Sequence, residues 1–198
     1  VVFCEGKTEA ALRNGLREFV QRRSEGRTRV GLKFIALDGH MFQPKLSRLV
    51  ALEMVNEGVR SVIVLTDVYP NFRDAIAAKA ELSRLVGSSE LPARLRFHVA
   101  QHELEAWLLP FWKEISSSLK VNASPPGAPP EDVNHDRPPS VHLRDLHRRA
   151  KKHYDKVRHA AVWLTADRLE EAAKSCPELK LFLDSLLEFA GVESPPST

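Results

Sequence analysis

The feature that most constrains the fold is a short apolar run, SVIVLT at 61–66, which is followed directly by Asp67. The run is too short for a buried helix, and its Val and Ile side chains favour extended backbone. It shows no alternation of polar and apolar residues, which is typical of a central strand covered on both faces of a parallel sheet. The run therefore predicts an α/β fold with an acidic residue at the end of a central strand.

The segments around this run alternate between strand and helix. The sequence predicts strands over 1–4, 29–37, 60–66 and 94–100, helices over 8–23, 45–56 and 73–86, and a helical turn over 103–112. We expect Thr8 to cap the first helix. Alternating strands and helices imply right-handed crossovers. The predicted fold is therefore a Rossmann-like, mostly parallel four-stranded sheet with helices on both faces.

The composition changes after residue 120, because six of the 13 prolines lie within 121–140. We therefore expect an α/β domain at 1–120, a Pro-rich loop at 121–140, a C-terminal helical extension at 141–192 packed on the first domain, and a frayed tail at 193–198. Within the C-terminal part, the sequence predicts helices over 140–158, 166–175 and 178–190 and a short strand over 160–164.

Several classes of protein are disfavoured by what the sequence contains. Cys4 and Cys176 are the two cysteines, and neither has a neighbouring Cys or paired His, so neither a disulfide framework nor a zinc site is expected. Phosphate-binding glycine motifs are absent, which disfavours a nucleotide-dependent oxidoreductase or a self-sufficient ATPase. No apolar stretch approaches the roughly 20 residues of a membrane span, and no leader opens the chain. We expect a cytoplasmic protein that binds no membrane, with native residues missing before Val1.

Acidic residues follow three of the predicted strands: Glu5, Asp67 and Glu103, with Glu9 and Glu105 close by in sequence. The carboxyl ends of parallel strands meet at one edge of the sheet, so these side chains are candidates for a common site. Clustered carboxylates repel one another unless they hold a hard cation, which indicates Mg²⁺ or Mn²⁺ and a phosphate-ester substrate. A structural interpretation stays open for Glu5 as a helix-dipole partner and for one of the last two glutamates.

The net charge is only +3, but basic residues are concentrated near the C-terminal part of the chain. Between residues 137 and 159, eight Lys or Arg stand against two Asp. Such a surface attracts a phosphate backbone. The candidate nucleic-acid contacts are Arg144, Arg148, Arg149, Lys151, Lys152 and Arg158. Trp107, Trp112 and Trp163 lie in apolar contexts, and we expect them in the core rather than stacked on bases.

Three strings, VVFCEGKTE, VIVLTDVYP and QHELEAWLL, occur in this order, and Pro138, Pro139, Tyr154, Lys156 and CPELKLFL from Cys176 follow them. Together they resemble the bacterial family called domain of unknown function 4276, a Toprim-like family, over nearly the whole chain. The resemblance implies a Toprim fold, in which acidic residues bind Mg²⁺ and act on phosphodiesters. Members are often encoded beside an ATPase and associated with defence against phage, so the resemblance also implies a partner ATPase.

The resemblance assigns roles to individual residues. Glu5 matches the Toprim glutamate, which serves as a general acid/base or a metal ligand, and Glu9 matches a second acid of related nucleases. Asp67 matches the first Asp of the Toprim Asp-x-Asp pair. By motif position, Lys156 would stabilise the charge of the transition state. Tyr69 replaces the second Asp and departs from the pattern.

A phenol is a poor Mg²⁺ ligand, so two-metal chemistry would need Glu103 or Glu105 in place of the missing carboxylate. The leading hypothesis is a Mg²⁺- or Mn²⁺-dependent Toprim-like nuclease acting on DNA or RNA. The alternative is a catalytically silent module that docks a partner ATPase, and Tyr69 favours it. Carboxylates that converge would favour the nuclease, whereas divergent ones would favour docking. A flavodoxin-like nucleotide-binding protein is a third possibility, but the sequence offers it no phosphate loop.

Overall fold

The computed structural model of the chain describes residues 1–26, 31–87, 93–133 and 136–192. Its sheet has four strands, β1 (Val2–Cys4), β2 (Phe34–Ala36), β3 (Val62–Asp67) and β4 (Leu95–Ala100), in the order β2-β1-β3-β4. Every pairing is parallel. The predicted α/β fold with a parallel sheet is therefore confirmed.

Helices follow each strand and continue through the C-terminal part. The first four are α1 (Lys7–Ala10), α2 (Arg13–Arg23), α3 (Pro44–Val55) and α4 (Ala75–Val86). After β4 come a 3₁₀ segment (Leu104–Phe111), α5 (Trp112–Ser118), a short 3₁₀ turn (Pro130–Asp132), α6 (Pro139–Arg149), α7 (Lys156–Trp163), α8 (Ala166–Ala173) and α9 (Pro177–Ala190). Within the described ranges, no helix combines the length and the apolar character needed to cross a membrane.

Both faces of the sheet are covered, because successive side chains of a strand point to opposite sides. Val62 and Val64 of β3 belong to a buried cluster that includes residues of α3 and α4. Ile63 and Leu65 belong to a second cluster that includes residues of α2 and of α6 to α9. The continuous apolar run of β3 is therefore explained by burial on both sides.

The C-terminal helices pack directly against the first part of the chain. Gly15 of α2 lies against the chain just after α7, where an added Cβ atom would come within 2.3 Å of the carbonyl oxygen of Leu164. The fully buried Trp107 stacks on Phe182 of α9 with ring centroids 6.1 Å apart. Residues from both ends of the chain thus contribute to one core.

Some predicted elements differ from the structure. The short strand over 160–164 is wrong, because these residues belong to α7 and to its C-terminal end. The helix over 140–158 is two helices, α6 and α7: Lys151 adopts a left-handed φ of 54°, and the side chain of Asp155 caps α7 by accepting from the N–H of Arg158. Of the strand predicted over 29–37, residues 29–30 lie outside the described residues, as does the tail at 193–198.

The first predicted helix is also divided, into α1 and α2, and Thr8 does not cap it. The residue at the start of α1 is Gly6, whose N–H donates to Glu9 Oε2 at 2.9 Å. A carboxylate from the first turn therefore does the capping that a threonine hydroxyl was expected to do.

His98 of β4 is buried against α9, where its Nε2 lies 3.0 Å from Ser185 Oγ. Burial, together with the positive charges of Lys79 and Arg96, lowers the pKa of His98 to about 3. The ordinary pKa of His is about 6.5. The imidazole is therefore neutral in the folded chain across the physiological range.

Below pH 6.5 the unfolded chain binds a proton at this position that the folded chain does not, so acidification destabilises the fold. We expect His98 to cost about 2 kcal/mol of unfolding free energy between pH 7 and pH 5. Urea denaturation at both pH values checks this, with His98→Gln as the comparison, because a glutamine amide can bond Ser185 without titrating. Equal losses in the two proteins would contradict the prediction.

Candidate functional site

The order of the strands creates a crevice at their carboxyl ends. The chain leaves β1 toward β2 on one side and reaches β3 on the other, and ligands of open α/β sheets bind at such a reversal. Cys4 of β1 pairs with Leu65, which places Glu5 level with Thr66. The hydroxyl of Thr66 donates to Glu5 Oε2 at 2.8 Å, and the N–H of Asp67 donates to the same oxygen at 3.3 Å. Two of the predicted site residues therefore meet at the crevice.

Asp67 lies near the other four predicted acids. Its Oδ1 accepts the N–H of Leu104 at 3.0 Å, which ties β3 to the start of the 3₁₀ segment. Burial raises the pKa of Asp67 well above its ordinary value, and four neighbouring carboxylates, those of Glu9, Glu105, Glu5 and Glu103, raise it further. The other four predicted acids are thus all close enough to act electrostatically on Asp67.

Glu9 has a structural contact as well as a place in this cluster. It is buried, and its Oε2 holds the N–H of Gly6 at the start of α1. Burial raises the pKa of Glu9 and Glu5 adds to the rise, while the hydrogen bond from Gly6 and the charge of Lys156 oppose it. Glu9 therefore also stabilises the turn between β1 and α1.

Glu103 is fully engaged by the C-terminal helices. Its Oε2 accepts the N–H of Ser140 at 2.9 Å, and its Oε1 accepts the hydroxyl of Ser140 at 3.0 Å and the ammonium of Lys156 at 3.1 Å. Ser140 lies in the first turn of α6, where the helix dipole favours a negative charge. Glu103 therefore links the loop after β4 to α6 and α7.

Glu105 is almost completely buried, at 1% exposure, and its Oε1 lies 3.2 Å from Lys156 Nζ. Burial raises the pKa of Glu105, and the charge of Lys156 opposes that rise. Burial alone would lower the pKa of Lys156, but the carboxylates of Glu105 and Glu103 outweigh it and raise the pKa. Burial and Glu105 also raise the pKa of Tyr154. Lys156 is therefore a protonated partner of two acids.

The donor chemistry of the cluster fits a hard cation. Four carboxylates act on Asp67, two of them hold the ammonium of Lys156, and Glu5 Oε1 and Asp67 Oδ2 accept no hydrogen bond from the described residues. As the side chains lie, however, the described ranges contain no group of three or more His, Cys, Asp or Glu that could hold a metal ion. Excess negative charge thus favours a metal, whereas the absence of a preassembled ligand set favours the docking alternative.

Tyr69 holds the loop after β3 against the loop after β4. Its N–H donates to the carbonyl oxygen of His102 at 2.7 Å, and His102 adopts a left-handed φ of 66°. This contact fixes the backbone at the position where the Toprim pattern has its second Asp. The main chain of Tyr69 therefore contributes to the shape of the crevice, independently of its phenol.

The predicted nucleic-acid contacts all lie at the surface. Arg144, Arg148 and Arg149 are exposed on α6, Lys151 and Lys152 are exposed in the connection that follows, and Arg158 is exposed on α7. Arg148 forms an ion pair with Asp145 at 3.0 Å. Lys156 lies within the same stretch but faces Glu103 and Glu105. The basic surface is therefore next to the acidic cluster along the chain.

Sequence reasoning missed Thr66 and Ser140, which position Glu5 and Glu103. Two prolines before Ser140 are a signal for the first turn of a helix, whose free N–H groups attract carboxylates. It also missed Glu131, a buried acid within the Pro-rich segment. Glu131 accepts the indole N–H of Trp107 and the N–H groups of Glu178 and Leu179, so it caps α9. Nothing in the local sequence of Glu131 marks this role.

Comparison with known families gives one result. The family DUF4276, described as a domain of unknown function, matches residues 4–187. Comparison with curated proteins and with solved structures finds no match. The matched segment contains Glu5, Asp67 and Lys156 and nearly all of the core. The chain therefore belongs to the DUF4276 family.

Proposed function

We propose that this protein is a Mg²⁺- or Mn²⁺-dependent nuclease that hydrolyses phosphodiester bonds of DNA or RNA, as the effector of a phage-defence system with a partner ATPase. One observation carries the proposal: Asp67 lies at a sheet crevice with a pKa raised by burial and by four carboxylates. A carboxyl pKa that is raised in this way is typical of functional sites. A bound cation would offset the repulsion between these carboxylates.

In this proposal Glu5, Glu9 and Asp67 hold the metal, which when bound would lower the pKa of a water and orient phosphoryl oxygens. The protein's own groups fix the ligands. Thr66 orients Glu5 through its hydroxyl, and the N–H of Leu104 orients Asp67. Lys156 keeps a positive charge beside the site because two acids hold it. A 38% exposed side chain leaves that charge accessible to a substrate phosphate.

The basic surface has a separate task in the proposal. Lys and Arg contacts to phosphates release counterions, so they supply affinity that falls as salt rises. The basic side chains of α6 and of the following connection are exposed, so they could contact successive phosphates of a nucleic acid. Without a metal, the acidic crevice would repel the same phosphates. Binding and hydrolysis are therefore divided between the two surfaces.

A second candidate function is a silent docking module for a partner ATPase. It is favoured by the absence, within the described residues, of three or more side chains grouped to hold a metal. It is also favoured by Tyr69 at the position of the second Toprim Asp. In that case the acidic crevice would bind a basic segment of the partner rather than a cation.

Calorimetric titration with Mn²⁺ and Mg²⁺ tests the proposal. We expect saturable binding to the unmodified chain and its loss when Glu5→Gln and Asp67→Asn are combined. The matched control combines Glu170→Gln with Glu171→Gln, which removes two exposed carboxylates from α8 and should leave metal binding unchanged. Equal binding in all three proteins would contradict the assigned site, and no binding to any of them would favour the docking module.

A further inference from the structure

A cleft of about 450 Å³ opens beside α7, and none of the five acids of the crevice lines it. It lies between α5, the connection 150–155 and α7. Apart from Ser118, its polar lining is basic or imidazole in character: His147, Lys152, His153, Arg158 and His159. No acidic residue of the described ranges lines it. A cleft of this size accommodates one small molecule, and its lining selects an anion.

Three of the lining side chains are uncommitted. Lys152, His153 and Arg158 are exposed, and their side chains form no ion pair or hydrogen bond with any described residue. Arg148 and Lys156, by contrast, are held by Asp145 and by Glu103. Cations without a protein partner can bind an anion without first breaking an ion pair.

The imidazole side chains of the cleft are held in place by hydrogen bonds and ring packing. His147 and His159 lie with their Nε2 atoms 2.9 Å apart, and the Nδ1 of His147 bonds the carbonyl oxygen of Leu143 at 2.8 Å. The ring of Tyr154 packs on both imidazoles, at centroid distances of 5.0 and 4.8 Å. These side chains therefore present a fixed surface to a ligand.

The cleft also has an apolar patch. Leu119, Val162 and Trp163 line it, and Val162 is 58% exposed although it is a large hydrophobic residue. We expected Trp163 in the core, but it is only partly buried. An apolar patch next to cationic side chains suits a ligand that has a planar ring at one end and a phosphate at the other.

The cleft and the acidic crevice share the first turn of α7. Lys156 faces Glu103 and Glu105, whereas Arg158 and His159 face the cleft. Because a helix rises 1.5 Å per residue, these groups lie within about one turn of each other. A polymer with regularly repeated phosphates could therefore contact both places at once.

We propose that this cleft binds one nucleotide of a single-stranded nucleic acid, with its phosphate on Lys152 and Arg158 and its base against Val162 and Trp163. The choice of nucleic acid as the ligand rests on the proposed function. Binding at the cleft itself needs no metal and no acidic crevice.

The test is an NMR titration of the full chain with thymidine 5′-monophosphate, thymidine and inorganic phosphate, in the presence of EDTA. We expect the monophosphate to bind at least about tenfold more tightly than either fragment, because phosphate and base are held together. Lys152→Gln combined with Arg158→Gln should weaken its binding by about tenfold or more. The matched control, Arg13→Gln with Arg17→Gln, removes two exposed charges from α2 and should change binding less than about twofold.

Val162→Ser is a second, exposed variant that should weaken the monophosphate but not inorganic phosphate. The inference is overturned if the monophosphate binds no more tightly than phosphate, or if the Lys152 and Arg158 changes have no greater effect than the control. Asp67→Asn should bind the monophosphate like the unmodified chain. If the unmodified chain bound the nucleotide but no metal, the proposed function alone would be contradicted, and if it bound metal but not the nucleotide, this inference alone would be contradicted.

Discussion

Asp67→Asn is expected to make the protein more stable and, at the same time, to abolish its proposed activity. The asparagine keeps the shape of the side chain and an oxygen for the N–H of Leu104, but it removes a charge that burial and four carboxylates disfavour. We expect a gain of about 1–2 kcal/mol in unfolding free energy without metal, or roughly 2–8 °C in melting temperature. Hydrolysis should fall by about 10³-fold.

The pH dependence of this gain follows from the direction of the pKa shift. Because the pKa of Asp67 is raised in the folded chain, its ionisation destabilises the fold above that pKa, and the penalty disappears as the pH falls toward the ordinary carboxyl range near 4. The stability difference between Asp67→Asn and the unmodified chain should therefore shrink on acidification. Thermal melts in EDTA between pH 8 and pH 5 measure it.

Metal supplies the second half of the test. A ligand at 100 times its Kd stabilises a folded chain by about 2.7 kcal/mol, so Mn²⁺ should raise the melting temperature of the unmodified chain but not that of Asp67→Asn. Asp184→Asn on α9 is the control, because its ion pair with Lys180 is at the surface and should matter little. A destabilised Asp67→Asn protein would show that the charge is compensated in the fold.

Glu103→Ala is expected to cause the largest loss of stability. Glu103 is 6% exposed, and the change leaves the N–H and hydroxyl of Ser140 without their acceptor and removes one of the two carboxylates that hold the ammonium of Lys156. Breaking one side of a buried ion pair costs about 3–5 kcal/mol. Urea denaturation should show this loss. Glu114→Ala, which removes an exposed partner of Arg168, should cost less than about 1 kcal/mol.

A double-mutant cycle with Lys156→Met separates the ion pair from the bonds to Ser140. If the pair contributes as its geometry indicates, the double variant should lose less stability than the sum of the single losses, by about 1–3 kcal/mol. Strict additivity would mean that Lys156 depends on Glu105 rather than on Glu103, because the ammonium lies 3.2 Å from that second acid.

The parallel sheet could be predicted because its signals are local. The run at 61–66 has the length and branching of a buried strand, and acids follow the strands at the positions where parallel strands end. Topology then brings these ends to one edge, so Glu5 and Asp67 could be predicted as neighbours from sequence alone. The DUF4276 family match agrees with the resemblance of the same strings.

The errors came where composition and periodicity do not mark the start, the end or the type of an element. Residues 160–164 have the composition of a strand but lie in α7 and at its end, because Asp155 caps that helix and Ala160 packs into the core. The predicted continuous helix over 140–158 is broken at Lys151, and no glycine or proline at this position signals the break. Helical periodicity alone does not mark such a break.

The sequence by itself determined the fold class, the edge of the sheet at which acids gather and the basic character of the C-terminal part. Only the tertiary structure decided how the acids are used. Glu103 is held by Ser140 and Lys156, which are far from it in sequence, whereas burial and four neighbouring carboxylates disfavour the charge of Asp67. Residue type and spacing specify which groups can meet, but hydrogen-bond partners and burial depend on side chains that only folding brings together.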